Sequence, residues 1–314
     1  MKQNSFTIKL SEPQQKKLAA LLRDSRYLPV EVPHTQIAVD AGTCRVNLYN
    51  SGKCLVQGKG AEEWITFTLE PDILGEARIG YDAIHDPESV APHMGVDESG
   101  KGDFFGPLVI ASVYTDEKTV EILKELGARD SKKITSDRVA LQLASDIRKK
   151  LDGKYSVVAI GPETYNRMYT KIGNVNRMLA WGHARAIENL LEKVPDCPRA
   201  LSDKFASTVL IERALMEKGK KIKMDQRTKA ESDPAVAAAS ILARAGFLMA
   251  LRKMEKDFGI ETAPKGCSAK VKQIAAELVA HKGPGILLKT CKTHFRTTEE
   301  VLGMNGYKLS DLQA

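Results

Sequence analysis

The sequence predicts an α/β region preceded by a small α+β domain, and three observations predict it. From Met94 onward, strand-like runs alternate with helical ones, the pattern of layered α/β architecture. Before it, short alternating runs are separated by Ala41-Gly42 and Ser51-Gly52, which are hairpin signals of an antiparallel sheet. Between the two lies a stretch punctuated by Pro, Gly and acidic residues, as a connector is. A chain of 314 residues has room for two domains, read here as 1–75 and 94–314 joined by a linker at 76–93.

Taken in order, residues 4–10 alternate with Phe6, Ile8 and Leu10 on one side, the period of a half-buried strand. Ser11 opens a helix that carries Leu18, Leu21 and Leu22 on one face. Strand-like runs follow at 36–40, 44–49 and 54–57, with a short helix near 61–69. Helices on one face of such a sheet leave Thr7, Lys9, Arg45, Asn47 and Tyr49 on the other. In the second region MGVDES is a short strand, GKGDFFG a Gly-rich turn and PLVIASVYT a long apolar strand. Helices are expected at 117–126, 137–151 and 175–193, and strands at 155–160, 199–202 and 207–211. The Ala-, Leu- and Ile-rich stretch 234–258 reads as a buried helix stopped by Gly259.

The formal charge of +7 is unevenly placed. Residues 1–92 hold 10 Lys+Arg and 12 Asp+Glu, a net −2, and residues 93–314 hold 37 and 28, a net +9. A basic excess confined to the second region suits a polyanionic partner there. The longest charge-free, mostly apolar run, 104–115, is too short to span a membrane. The N-terminus has no apolar signal region, and five scattered cysteines include no CxxC pair. These point to a reduced, cytoplasmic protein without a cysteine metal site.

Four acidic residues stand where chemistry can be done. Asp97 and Glu98 end the MGVDES strand, Asp203 ends the run ALSD, and Asp233 precedes Pro234 at the start of the apolar helix. Carboxylates at strand ends and a helix start can converge, and such a set suits hard cations such as Mg²⁺ or Mn²⁺. Each also has a plainer reading. Asp233 is a good N-cap with Pro at N1, and Asp203 can be a solvated strand end. Adjacent strand residues point to opposite faces, so Asp97 and Glu98 share a site only where the strand ends. Ser131 and Lys132 can contact phosphate or merely start a helix. Trp181 and His183 read as core and edge residues of a helix. The turn lacks both the GxxxxGK[ST] phosphate loop and a GxSxG elbow, which argues against a nucleotide cofactor and a serine nucleophile.

GVDESGKGDFFGPLVIASV, from Gly95, strongly resembles the first motif of the type 2 ribonucleases H, which act on RNA paired with DNA. DSKKIT resembles their second motif, and LSDKF and ESDPAVAAASILAR the segments that supply the third and fourth acidic positions. The match runs from about Met94 to KTHFRT at 292–297. GKG in place of the usual GRG, together with the N-terminal extension, resembles the ribonuclease HIII branch, whose extension is similar to half of the TATA-binding protein. The resemblance implies a ribonuclease H fold, a mixed sheet flanked by helices. It implies that Asp97, Glu98, Asp203 and Asp233 bind Mg²⁺ or Mn²⁺, two ions during catalysis. Hydrolysis within the RNA strand would leave 5′-phosphate and 3′-hydroxyl ends. Ser99, Gly100, Lys101 and Gly102 would meet the RNA strand and its 2′-OH, and Ser131 and Lys132 the backbone. Lys9 and Arg45 would add affinity for the hybrid from the N-terminal sheet. A monomer is expected, without membrane or nucleotide cofactor. The alternatives are cleavage at single ribonucleotides in duplex DNA, as by ribonuclease HII, and a noncatalytic hybrid-binding protein.

Overall fold

Period-two alternation sets the pattern of the N-terminal sheet. In β1 (Ser5–Lys9), Phe6 and Ile8 pack inward while Thr7 and Lys9 are exposed. The computed structural model describes residues 5–75, 87–128, 134, 136–205, 207–228 and 230–313. It divides into two units, Met1–Val90 and Ala91–Ala314, and most of the 76–93 linker lies outside the described residues.

In the first unit β1 is followed by α1 (Glu12–Leu21), β2 (Leu28–Pro29), β3 (Thr35–Asp40), β4 (Arg45–Tyr49), β5 (Lys53–Gln57) and α2 (Ala61–Trp64). The sheet order is β1-β5-β4-β3-β2, antiparallel throughout. Ser11 starts α1, its backbone N–H donating to Gln14 Oε1 at 2.9 Å. Leu18, Val39, Val46, Leu48 and Val56 close the core between helix and sheet. The helix expected at 61–69 is α-helical only to Trp64. It continues as a π-helical segment, Ile65–Leu74, with Pro71, which has no N–H to give, inside it. On the outward face Lys9 and Arg45 are exposed as expected, but Asn47 is not: it is 3 % exposed, set in the middle row opposite Leu55 and Ala38.

The second unit carries α3 to α12 and β6 to β10, except that α3 (Pro87–Val90) precedes its boundary. Its strands are β6 (His93–Ser99), β7 (Leu108–Thr115), β8 (Tyr155–Ile160), β9 (Arg199–Asp203) and β10 (Lys223–Arg227), in the order β10-β9-β6-β7-β8. β7 runs antiparallel to both its neighbours, β6 and β8, while β9 pairs parallel with β6 and β10 parallel with β9, so the sheet is mixed. The helices are α4 (Glu117–Glu125), α5 (Asp137–Leu151), α6 (Pro162–Ile172), α7 (Val175–Leu191), α8 (Thr208–Ala214), α9 (Pro234–Phe258), α10 (Ala269–Lys282), α11 (Ile286–Thr290) and α12 (Thr297–Met304). Side-chain caps start several of them: Asp116 accepts from Thr119 N, and Asn174 from Arg177 N.

One face of the sheet packs on α7 and the other on α9. Met94, Val96 and Ile110 join Met178 and Ile187, whereas Val109, Ala111 and Val113 join the Ala- and Leu-rich side of α9. One sequence expectation is corrected here. The run 207–211 is helical, because Ser207 begins α8 and Ile211 is buried in the α7 cluster, where packing overrides β-branched propensity. The stretch 234–258 is the buried helix expected, α9. Despite Arg244, α9 has a window of mean hydropathy 1.7, of which 72 % is buried in the fold.

Candidate active site

The site is built where β6 ends. Gly95 lies so close to the start of α9 that a Cβ there would stand 2.1 Å from Val236 N, so strand and helix touch backbone to backbone. Alternation then turns His93, Gly95 and Asp97 toward α9, and Met94, Val96 and Glu98 toward α7. β6 and β9 are in parallel register with Val96 opposite Ser202, so the next step sets Asp97 beside Asp203 on the same face. The strand stops at Ser99 and Gly100 turns sharply, with φ 89° and no room for a side chain against Pro107 O. Because the strand ends there, Asp97 and Glu98 both reach one cavity although they leave opposite faces.

That cavity holds about 720 Å³ and is lined by Asp97, Glu98 and Asp203, by the turn Ser99-Gly100-Lys101-Gly102, and by Lys204, Arg244 and Lys265. Glu98 Oε2 is 3.0 Å from Nε2 of His183, a ring with no exposed surface. Lys101 Nζ stands 3.9 Å from the other carboxylate oxygen and 5.8 Å above the ring of Phe205, which in turn lies 4.8 Å from the His183 ring. Asp97 Oδ1 accepts the Glu98 N–H at 2.8 Å. Arg244 donates to Ile134 O and Asp137, and Lys265 also pairs with Asp137.

Asp233 is placed differently. It is 1 % exposed and does not line the cavity. Its Oδ1 accepts from Ala235 N at 2.9 Å and Val236 N at 3.3 Å, capping α9, and Nε2 of buried His93 lies 3.0 Å away. The structure therefore brings Asp97, Glu98, Asp203 and the glycine turn together and sets Asp233 behind them. Ser131 and Lys132 lie outside the described residues. Lys9 and Arg45 belong to the other unit.

His93, His183, Phe205, Lys204, Arg244 and Lys265 were not singled out as site residues from the sequence. Arg244 alone left a signal, as the one charge in the apolar stretch 234–251. His183 sits at ordinary helical spacing and is no edge residue; it is buried against Glu98.

Among the described residues no three His, Cys, Asp or Glu side chains are grouped closely enough to cage a metal ion. Three carboxylates on one cavity still fit a hard cation, since Mg²⁺ takes one or two carboxylates and completes its shell with water and phosphate oxygens.

Comparison with known proteins agrees in extent. A family model described as Ribonuclease HII matches residues 94–298. Ribonuclease HIII of Chlamydia muridarum is 43% identical over 274 residues, covering 86% of this chain and 88% of the relative. The crystal structure of Bst-RNase HIII in complex with Mn²⁺ superimposes with a TM-score of 0.67 at 27% identity, covering 96% of this chain and 98% of that one. Aquifex aeolicus RNase H3 gives a TM-score of 0.52 at 28% identity, covering 93% and 100%.

Proposed function

The chain belongs to the ribonuclease HII family, in its ribonuclease HIII branch, and we propose that it hydrolyses the RNA strand of RNA–DNA hybrids with Mg²⁺ or Mn²⁺, leaving 5′-phosphate and 3′-hydroxyl ends. One observation carries the reading: Asp97, Glu98 and Asp203 line the same cavity as the Gly100-Lys101-Gly102 turn and three further cations. Asp97, Glu98 and Asp203 would hold the metal, with Asp233 as the fourth acidic position behind them. A bound divalent ion supplies a more acidic water and neutralises charge at the phosphate. The chain does the rest. His183 fixes the Glu98 carboxylate, so this group need not be oriented at the moment of reaction. Lys204 and Lys265 offer charge to the phosphates that flank the scissile one. The glycines let the backbone approach the ribose, where the 2′-OH separates RNA from DNA. A map of cleavage sites on an all-RNA/DNA hybrid and on a DNA duplex with one ribonucleotide, each with Mg²⁺ and Mn²⁺, tests this. Cuts throughout the RNA strand are expected; cutting confined to the single-ribonucleotide duplex would assign ribonuclease HII-type activity instead.

The N-terminal domain, 1–75, is read as a substrate-binding module resembling half of the TATA-binding protein. Lys9 is opposite Lys53 and Arg45 opposite Gln57 on neighbouring strands, so three cations share the outward face, with Lys9 and Arg45 about 14 Å apart along the strands. The net −2 of residues 1–92 does not count against this, since the local face rather than the total meets the phosphates. Replacing both Lys9 and Arg45 by Glu is expected to raise KM for a long hybrid, leave kcat unchanged, and lower the salt slope of binding by about 2. An unchanged KM and salt slope would make this unit a partner or stability module.

A further inference from the structure

Lys292 has no exposed surface. Its ammonium donates to the carbonyls of Asp103 at 2.7 Å, Gly106 at 2.8 Å and Phe105 at 3.4 Å. Its backbone N–H donates to the carbonyl of Phe104 at 2.9 Å. The carbonyls of four consecutive residues therefore all end on one residue far along the chain. Neighbouring residues extend the seam: Gly106 N donates to Thr290 O, and Phe104 N to Gly266 O. Among the described residues no carboxylate forms an ion pair with the ammonium, and its other neighbour is the buried ring of Tyr165, with Nζ 5.8 Å from the centroid.

A lysine is an expensive choice for such a place. Burial disfavours its charge and lowers its pKa to about 8, with the Asp103 carboxylate pulling the other way. Three inward carbonyls explain the choice. An ammonium carries three donors on one flexible stem, one for each of them, and an apolar residue of similar length would leave all three buried without a partner.

The segment so held begins where the glycine turn ends. Asp103 N donates to Gly100 O, and Pro107 O abuts Gly100, so residues 103–107 set the shape of 100–102. We propose that Lys292 is a positioning residue for substrate recognition: it fixes the backbone of 103–106 and thereby holds the Gly100-Lys101-Gly102 turn against the ribose of the RNA strand. The proposal rests on the function given above for that turn. Lys292 itself touches neither substrate nor the acidic side chains.

The test is a graded series in the full chain, Lys292→Arg, Lys292→Gln and Lys292→Met, which supplies many, two and no donors. KM and kcat on an RNA–DNA hybrid, the Mn²⁺ midpoint of activation, and amide hydrogen exchange are measured for each. KM is expected to rise as donors are lost, about tenfold for Lys292→Met, with kcat and the Mn²⁺ midpoint unchanged. Faster exchange is expected to be confined to 100–106. An unchanged KM in a folded Lys292→Gln or Lys292→Met variant overturns the proposal. So does a loss that shifts the Mn²⁺ midpoint equally and loosens the whole unit, which marks a merely structural role. If Lys292→Met does not fold, the KM order of Arg and Gln against the parent decides. A parent that cuts no hybrid refutes the function instead, and is recognised before any variant is made.

Discussion

Asp97→Asn is expected to abolish hybrid cleavage in a protein that melts like the parent. The Asp97 oxygen that accepts the Glu98 N–H can be kept by an amide oxygen, so the turn out of β6 loses nothing. What is lost is one negative charge from the cavity lined by Asp97, Glu98 and Asp203, and with it the hard donor proposed for the cation. A fall of about 10³-fold or more in kcat/KM, about 4 kcal/mol of transition-state stabilisation, is the expected scale. Initial rates at saturating Mg²⁺ beside a thermal melt check it. Activity within tenfold of the parent, with the same melt, would remove Asp97 from the set that holds the metal.

Asp233 carries the second large effect, and here two substitutions separate two roles. Asp233→Ala removes the cap of α9 and leaves buried His93 Nε2 without its carboxylate. A lost cap costs about 1–2 kcal/mol and a buried polar group left unpaired about 1–3 kcal/mol, so a loss of about 2–5 kcal/mol is expected. For a unit of this size that lowers the Tm by about 5–15 °C. Asp233→Asn keeps a good cap and a side-chain oxygen for the α9 amides, and is expected to melt within a few degrees of the parent. Its hydrolysis should nevertheless fall by about 10²-fold, because the charge of the fourth acidic position is gone. Parent-like kcat in Asp233→Asn would confine Asp233 to capping.

Much of this was legible in the residues, and the omissions have physical causes. The β7 strand and the α9 helix announce themselves by long apolar runs bounded by a charge, and the short β6 strand by its motif. The four acids were visible by motif, and three of them line one cavity. The objection that Asp97 and Glu98 leave opposite faces is correct as geometry, and the end of β6 at Ser99 reconciles it with a common site. β10, KMDQR, was missed because an edge strand with one buried residue, Met224, has no apolar rhythm to read. The run at 207–211 misled because β-branched residues are strand-like until a neighbouring helix buries one side of them. His183 and Lys292 were illegible for another reason. Their importance lies in partners 85 and 186–189 positions away, and no local pattern records such a distance.

The apolar character of α9 has a consequence for the chain before it folds. Its window of mean hydropathy 1.7 is mostly buried in the finished fold, packed on β6, β7 and α5, all of which precede it in the chain. Until that packing is complete, a newly made chain holds a segment with the length and composition of a bilayer span, interrupted by Arg244 and bounded by Arg252. Charges so placed are expected to lower the tendency of the unpacked helix to enter lipid or to aggregate. An apolar substitution at Arg244 is therefore expected to lower the soluble yield of the chain as well as to alter the finished cavity, which soluble fraction measured beside activity would check.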